Sequence, residues 1–527
     1  MKNKKEKNSS YDFDVVIVGA GMAGLTAGNI LLKKGYKVLI VEKQASPGGY
    51  CTNFKRKDYT FDACIHMING CRPKGMIYEI LKKFNAEDSI EFIEFDEIFH
   101  WVDLLNNIDF SMPTSLDKLI TRLIELFPHE TKNIQKFYKR ALKITKFMVN
   151  WIKKGFLGKI VVSIRYFRSL FRFLRLLNKT VSDLIDPYIS DTALKNIMTS
   201  MVNCFGLPPD EESALIFVVG SMSFYLEGTF YIKGGSGAFS QAIADIFIKN
   251  GGTLLLSTEV TKLIFEEKII KELITEDKKG IEMSYSTRAV IANCDLTMLV
   301  TKLCPSGTIP YRYIEKIKSR QPSKSAVIIY AGLNLDLKKY NLTDYELWTT
   351  WGKEKYHTKE HRNYIYESAD YSNLPGGPIT IFSNIDPTCC PPGKSVLSSL
   401  FFANPEPFEM SLDSQQRGEK YKALKASIAD QFINQISRVL KIPDLKSYIE
   451  VLEIATPITL KRYTNNRDGA LFGWEMTPSQ MLRNQLSQKT PVKNLFLCGH
   501  WAKNCGGVSV VMMSGSKVSQ IVQKFLK

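Results

Sequence analysis

Three glycines, Gly19, Gly21 and Gly24, follow an apolar run at 14–18, and Glu42 closes a second apolar run at 37–42. The stretch between them has the composition of a helix, so the order is strand, glycine turn, helix, strand, acid. This pattern suits a phosphate-bearing dinucleotide. Gly19 permits the tight turn, and Gly21 lets backbone approach a pyrophosphate seated on the helix N-terminus. Gly24 lets helix and strand pack closely, and Glu42 can accept hydrogen bonds from a ribose diol. Lys43, next in the chain, joins the candidate cofactor contacts.

A second diglycine, Gly48-Gly49, follows within a few residues, then Tyr50, Cys51, Phe54, Phe61-Asp62 and His66. It offers a second close backbone approach, as a longer cofactor such as FAD requires. A domain binding only a nicotinamide nucleotide would instead run on into another strand–helix unit. The chain returns to this fold twice. Tyr231, Gly234, Gly235 and Gly237 precede an amphipathic helix at 238–249, then Gly251-Gly252 and a strand at 258–260, with another strand at 289–293. Near the end, Gly469, Gly473 and Trp474 are followed by Thr490-Pro491, Asn494, Cys498-Gly499-His500, and then Gly506-Gly507-Val508 before a last helix.

These three blocks resemble the FAD-binding segments of the phytoene desaturase, carotenoid isomerase and retinol saturase family. The resemblance implies an α/β fold: a Rossmann-like FAD-binding domain with an α+β substrate domain, the architecture shared with amine oxidases. It implies that Val260 backbone meets the adenine and that Gly499, Gly507 and Val508 lie on the flavin side. It places His66 near the flavin, and acid–base help is assigned to His66 and His500. The implied activity is desaturation, saturation or isomerisation of carbon–carbon double bonds in an apolar polyene or isoprenoid lipid, with an external NAD(P) or quinone electron partner. Two departures stand out. Ser46 occupies the place where relatives carry Arg, and Lys233 follows Ile232 where proline is usual.

The blocks divide the chain into a basic leader at 1–11, a FAD-binding domain at 12–75, 230–300 and 456–527, and a substrate domain at 76–229 and 301–455. Runs at 325–333, 379–384 and 396–403 read as strands of a pocket wall, and 421–441 reads as a helix. Thr114-Ser-Leu-Asp117 resembles a capping box ahead of Leu119 and Leu123.

Charge locates a different function. Against 53 acids the 527-residue chain carries 70 Lys and Arg, a net of +17. A net of +3 lies in the first ten residues, and residues 131–182 hold 14 basic residues and no acid, so these two stretches carry the whole excess. In the first helix, at 132–153, Ile134, Phe137, Ala141, Ile144, Met148 and Trp151 form an apolar face. In the next, Arg165, Arg168, Arg172, Arg175 and Lys179 form a stripe opposite Tyr166, Leu170, Phe173, Leu174 and Leu177. An arginine face backed by aromatic and leucine side chains fits a helix lying on an anionic membrane surface. No nucleic-acid module accompanies the charge, so nucleic acid is set aside. The longest apolar run, 213–224, is too short to span a bilayer. The start lacks an apolar signal segment, and the ten cysteines form no CxxC pair. A cytoplasmic, peripherally membrane-associated protein with reduced thiols is expected.

Other signals carry less. His357, Glu360 and His361 match an inverted zinc-protease spacing, but in a polar stretch without an apolar helical face, so no metal is expected. Cys389-Cys390 reads as free thiols, Cys498 and Cys505 flank the expected flavin site, and Glu475 is a weaker acid–base candidate. Two rivals share the architecture: a flavin amine oxidase acting on a soluble amine, and the non-catalytic escort proteins that bind prenyl lipid. In the latter the glycine motif would be expected to decay, and here Gly19, Gly21, Gly24 and Glu42 all stand.

Overall fold

The computed structural model describes residues 11–63, 65–103, 107–152, 156–342, 345–350, 367–371, 376–503 and 506–527. The basic leader up to residue 10, the 357–361 spacing and Cys505 lie outside the described residues.

Two seven-stranded sheets organise the chain. In the first, Thr253–Leu255, Val38–Val41, Phe13–Val18 and Glu282–Ala292 run side by side, with Leu495–Leu497 against the last; all these pairings are parallel. Val15, Val16, Ile17, Leu39 and Ile40 are fully buried, because helices cover one face of the sheet while Val260, Leu263, Ile270 and Leu273 of neighbouring strands, with short helical segments, cover the other. The strands of this sheet therefore read as continuous apolar runs rather than alternating ones. Ile269–Asp277 and Thr258–Glu266 extend the sheet antiparallel. Helices Met22–Leu32, Gly235–Lys249 and Val508–Leu526 pack on one face around Leu25, Phe247 and Met512. Ile77, Ile80, Leu81 and Phe84 enter the same core.

The second sheet runs in the order Ile449–Ala455, Ser325–Leu333, Ser395–Ala403, Gly376–Ile381, Glu346–Thr350, Glu97–Asp103 and Ile108–Pro113. Its pairings are antiparallel except that Glu346–Thr350 lies parallel to Glu97–Asp103. A helical layer, including Thr131–Ile152 and Ala214–Glu227, packs beside it over Trp101, Phe110 and Trp348.

Local differences from the sequence reading have identifiable forms. The helix at Leu116–Leu126 is capped by Ser115, whose hydroxyl accepts from the Lys118 N–H, one residue later than the expected Thr114. The second basic helix is two helices, Phe156–Arg165 and Phe167–Leu176, broken at Tyr166, where φ is −113° and ψ is 35°. The apolar faces are redistributed accordingly. Leu177 is buried, and Tyr166, Leu170 and Phe173 are half-buried, so these four turn towards the protein. Leu174, assigned to the same face, is 49 % exposed. It belongs instead to an outer apolar row with Ile160, Ile164, Phe167 and Phe171, of which Ile164 is 72 % and Phe167 68 % exposed. No described helix is long and apolar enough to cross a membrane.

Candidate active site

One cavity of about 470 Å³ runs between the two sheets. Its first part lies at the carboxyl ends of Phe13–Val18, Val38–Val41 and Glu282–Ala292, where open α/β sheets bind ligands. Gly19, Gly21, Glu42, Lys43, Gly48, Gly49, Val260, Gly499, Gly507 and Val508 all line it, together with His66 and His500. Gly24 does not. A Cβ there would sit 2.3 Å from the Gly19 carbonyl oxygen and 3.2 Å from Ile17, so its part is the close contact of helix and strand.

The wall at this end is made of backbone. Gly48 has φ +117°, and a Cβ would fall 2.0 Å from the Cys51 carbonyl oxygen. The helices at Met22 and Val508 both begin on glycines without a side-chain cap, leaving first-turn N–H groups free for an anion beside the cavity. Asn293, which sequence reasoning placed only in a strand, ties the turn together: its side-chain amide donates to the carbonyls of Gly19 at 3.0 Å and Gly21 at 3.4 Å.

Glu42 accepts from the Ala20 N–H at 2.8 Å and the Gln44 N–H at 2.9 Å, one bond to each carboxyl oxygen. Each oxygen keeps a second lone pair. Burial raises its pKa against these two bonds. Lys43 is the only Lys or Arg among the described wall residues. Burial lowers its pKa, and its ammonium donates to the Arg462 carbonyl at 3.1 Å and to Asn465 Oδ1 at 2.5 Å. Ser46 is exposed and away from the cavity.

His500 is held near a pKa of about 4 by burial, so its imidazole is neutral at pH 7. Its Nε2 lies 3.4 Å from Asn466 Oδ1, which also accepts from the Trp501 indole at 2.9 Å. Cys498 lines the cavity, and burial pushes its thiol up, away from the reactive thiolate. Glu475 lies off the cavity, 3.9 Å from Lys324.

The far part of the cavity is walled by side chains from the second sheet and the helical layer, among them Trp101, Phe224, Trp348, Leu400 and Phe402, and by Phe472 from the stretch that follows Gly469. His66 stands in this wall. Its Nδ1 lies 2.8 Å from Thr380 Oγ1 and 3.5 Å from Glu346 Oε1. Glu346 and Thr380 were not found by sequence reasoning; neither belongs to a motif, and only strand pairing joins them to His66.

A cleft lined by a double glycine turn, two uncapped helix starts and a buried acid is the cofactor site of a dinucleotide-dependent oxidoreductase. The open space at Gly507, where no atom lies within 4 Å of a Cβ position, gives this cradle room for the cofactor. The chain belongs to the flavin containing amine oxidoreductase family, matched over residues 22–523, and is an FAD-dependent enzyme of that family.

Its relatives include prolycopene isomerase 1 of an Oncidium hybrid cultivar, 25 % identical over 96 % of this chain and 82 % of the relative. All-trans-retinol 13,14-reductase of Danio rerio is 24 % identical over 94 % and 83 %. The 4,4'-diapophytoene desaturase of a Methylomonas species is 24 % identical over 89 % and 86 %. Among solved structures, an oxidoreductase from Methanosarcina mazei superposes with a TM-score of 0.65 at 18 % identity, covering 96 % of this chain and all of the other. Putrescine oxidase bound to putrescine gives 0.61 at 12 %, covering 97 % and 99 %. These structural likenesses concern the fold.

Proposed function

We propose that this oxidoreductase acts on carbon–carbon bonds of an apolar polyene or isoprenoid lipid. The observation that carries the reading is the aromatic and aliphatic surface of the far wall, on the side of the cavity opposite the glycine turns. Relatives named for action on prolycopene, all-trans-retinol and 4,4'-diapophytoene support it. Bound FAD supplies the two-electron exchange at its isoalloxazine ring. The chain does the rest. Glu42 and the helix start at Met22 hold the ribose and pyrophosphate, and the helix start at Val508 faces the flavin. Lys43 supplies positive charge beside them, and Trp348, Phe402 and Phe472 hold an apolar chain. A soluble amine would gain little from such a wall.

The test is anaerobic mixing of the purified holoenzyme, oxidised and dithionite-reduced, with a panel of polyenes, retinoids, fatty acids and amines, followed by product analysis. A change in flavin absorbance and a shifted, added or lost double bond with a polyene support the reading. Turnover of amines alone overturns it, and a colourless protein that cannot be reconstituted with FAD overturns the flavin assignment beneath it.

The same reading includes how an insoluble substrate reaches the enzyme. The outer row Ile164, Phe167, Phe171 and Leu174 is exposed, and Arg165, Arg168 and Arg175 beside it are exposed as well. Together with Arg172 they form no ion pair among the described residues. Arg175 instead lies over the Phe171 ring, 4.3 Å from its centroid. Helix Phe167–Leu176 packs on Ala214–Glu227, which carries Phe224 into the cavity wall. Apolar row and cavity are thus two sides of one helical layer. We infer that the row inserts among acyl chains of an anionic membrane while the arginines meet its headgroups, each contributing about 1 kcal/mol. Replacing the four arginines with Gln is expected to cut sedimentation with phosphatidylserine vesicles at least tenfold at moderate salt, and Phe167→Ser with Phe171→Ser to weaken it at every salt concentration. Unchanged binding in both variants refutes the docking surface.

A further inference from the structure

His66 is held on one side and open on the other. Strands Glu346–Thr350 and Gly376–Ile381 pair with Glu346 directly opposite Thr380, so both side chains leave the sheet on one face. Both reach the same ring nitrogen, Nδ1 of His66, at 3.5 and 2.8 Å. Glu346 Oε1 already accepts from the Trp348 indole N–H at 2.5 Å, which marks it as an acceptor atom. Phe382 meets the imidazole edge-on, with ring centroids 5.8 Å apart, and the Tyr345 hydroxyl donates to the His66 carbonyl. Glu346 is 2 % exposed, and its Oε2 has no hydrogen-bond partner among the described residues. The Thr380 hydroxyl can donate or accept, whereas the Glu346 carboxylate oxygen 3.5 Å away can only accept, and it is this acceptor that favours a proton on Nδ1 and leaves Nε2 as the nitrogen able to take a proton. Nε2 makes no hydrogen bond among the described residues, and His66 lines the cavity.

We propose that Glu346 and Thr380 are positioning residues that fix the tautomer of His66, and that His66 Nε2 is the group that exchanges a proton with the substrate. The proposal rests on the function given above and adds the residues that carry its proton half. In desaturation one substrate C–H bond breaks and its proton goes to Nε2. Its electron pair stays to form the new double bond, and FAD, held by the glycine turns, would supply the acceptor for the hydride of the adjacent carbon. Saturation reverses each change. The site is therefore suited to a substrate that exchanges a proton and a hydride on neighbouring carbons.

Two measurements test this. The first needs no turnover. In protein labelled with ¹⁵N-histidine, the His66 signals, assigned through His66→Asn, should show Nδ1 protonated and Nε2 bare in the neutral ring. Thr380→Val and Glu346→Leu should move the proton towards a mixture. If Glu346→Leu does not fold, Glu346→Gln, which removes the acid while keeping the shape, should still shift the His66 signals. The second is a double-mutant cycle on the rate of flavin reduction or reoxidation by the active lipid. His66→Asn should cost roughly 10²–10⁴-fold. Glu346→Gln should cost on the order of 10-fold in kcat with little change in KM, and nothing further in the His66→Asn background. A wild-type ring protonated on Nε2, or full additivity of the two losses, overturns the proposal. A protein that turns over no lipid but shows the expected tautomer defeats the proposed function and leaves the positioning of His66 standing.

Discussion

The two ends of the cavity are built from different materials. At the cofactor end the wall is backbone: turns at Gly19–Gly21 and Gly48-Gly49 and the helix that begins at Val508 behind Gly507. At the substrate end the wall is side chains delivered by strands far apart in sequence, such as Trp101, Trp348 and Phe402. Backbone can approach a ligand closely only where Cβ is missing, so the first kind of wall demands glycine at fixed spacing. The second kind asks only for side chains of suitable size and polarity at positions that the sheet register brings together.

The largest effect expected from this contrast is at Gly48. Alanine there needs φ +117°, and its Cβ would stand 2.0 Å from the Cys51 carbonyl oxygen and 2.6 Å from Ser240 Oγ. Neither the backbone conformation nor the space is available. Gly48→Ala should lose on the order of 4 kcal/mol or more of stability and yield little folded, yellow protein. At the other end, Phe402→Leu should leave stability within about 1.5 kcal/mol and FAD content unchanged. Denaturant unfolding and flavin absorbance of the two variants compare the ends directly. Equal losses would break the distinction.

His500 asks whether side chains also matter at the cofactor end. Burial lowers its pKa from 6.5 to about 4 in the folded protein. The unfolded chain therefore binds a proton here before the folded one does. The stability involved is intact above pH 6.5 and is lost as the pH falls towards 4. At 1.36 kcal/mol per pH unit the loss approaches about 3 kcal/mol. His500→Gln should flatten this part of the stability curve, as followed by urea unfolding between pH 7 and 4. A variant that follows the wild-type slope would remove His500 as its source.

The same contrast explains what could be read from the sequence. Gly19, Gly21, Gly24 and Glu42 declare a βαβ turn because each type has a steric or hydrogen-bonding reason at its spacing, and the parallel strands announce themselves as unbroken apolar runs. Asn293 follows directly on one of those strands, yet nothing local says that its amide will lock the Gly19 turn, 274 residues away in the chain. Glu346 and Thr380 are more hidden still. Their meeting depends on the pairing of two short strands, and a slip of one residue in either strand would send its side chain to the other face and part the pair. In the basic helices, spacing alone gave the amphipathic period but not its phase. The break at Tyr166 and the packing onto Ala214–Glu227 decide that Tyr166, Leu170 and Phe173 turn inward while Ile164, Phe167 and Phe171 turn out.

The smallest effect on the fold, and the sharpest test of what the glycines are for, is at Gly507. Its φ is −68°, which any residue adopts, and no atom lies within 4 Å of a Cβ built there. By the folding criterion this position has no need of glycine. Gly507→Ala should leave the apoprotein's unfolding midpoint unchanged, or raise its stability by a few tenths of a kcal/mol through the smaller entropy of the unfolded chain. If the open space is where the cofactor passes the start of the last helix, the added methyl will instead collide with FAD. Flavin affinity, measured by titrating FAD into apoprotein, should then fall by tenfold or more while the unfolding curve stays put. A variant that binds FAD as tightly as wild type would show that the cofactor does not press on this turn, and Gly507 would leave the list of residues that hold it.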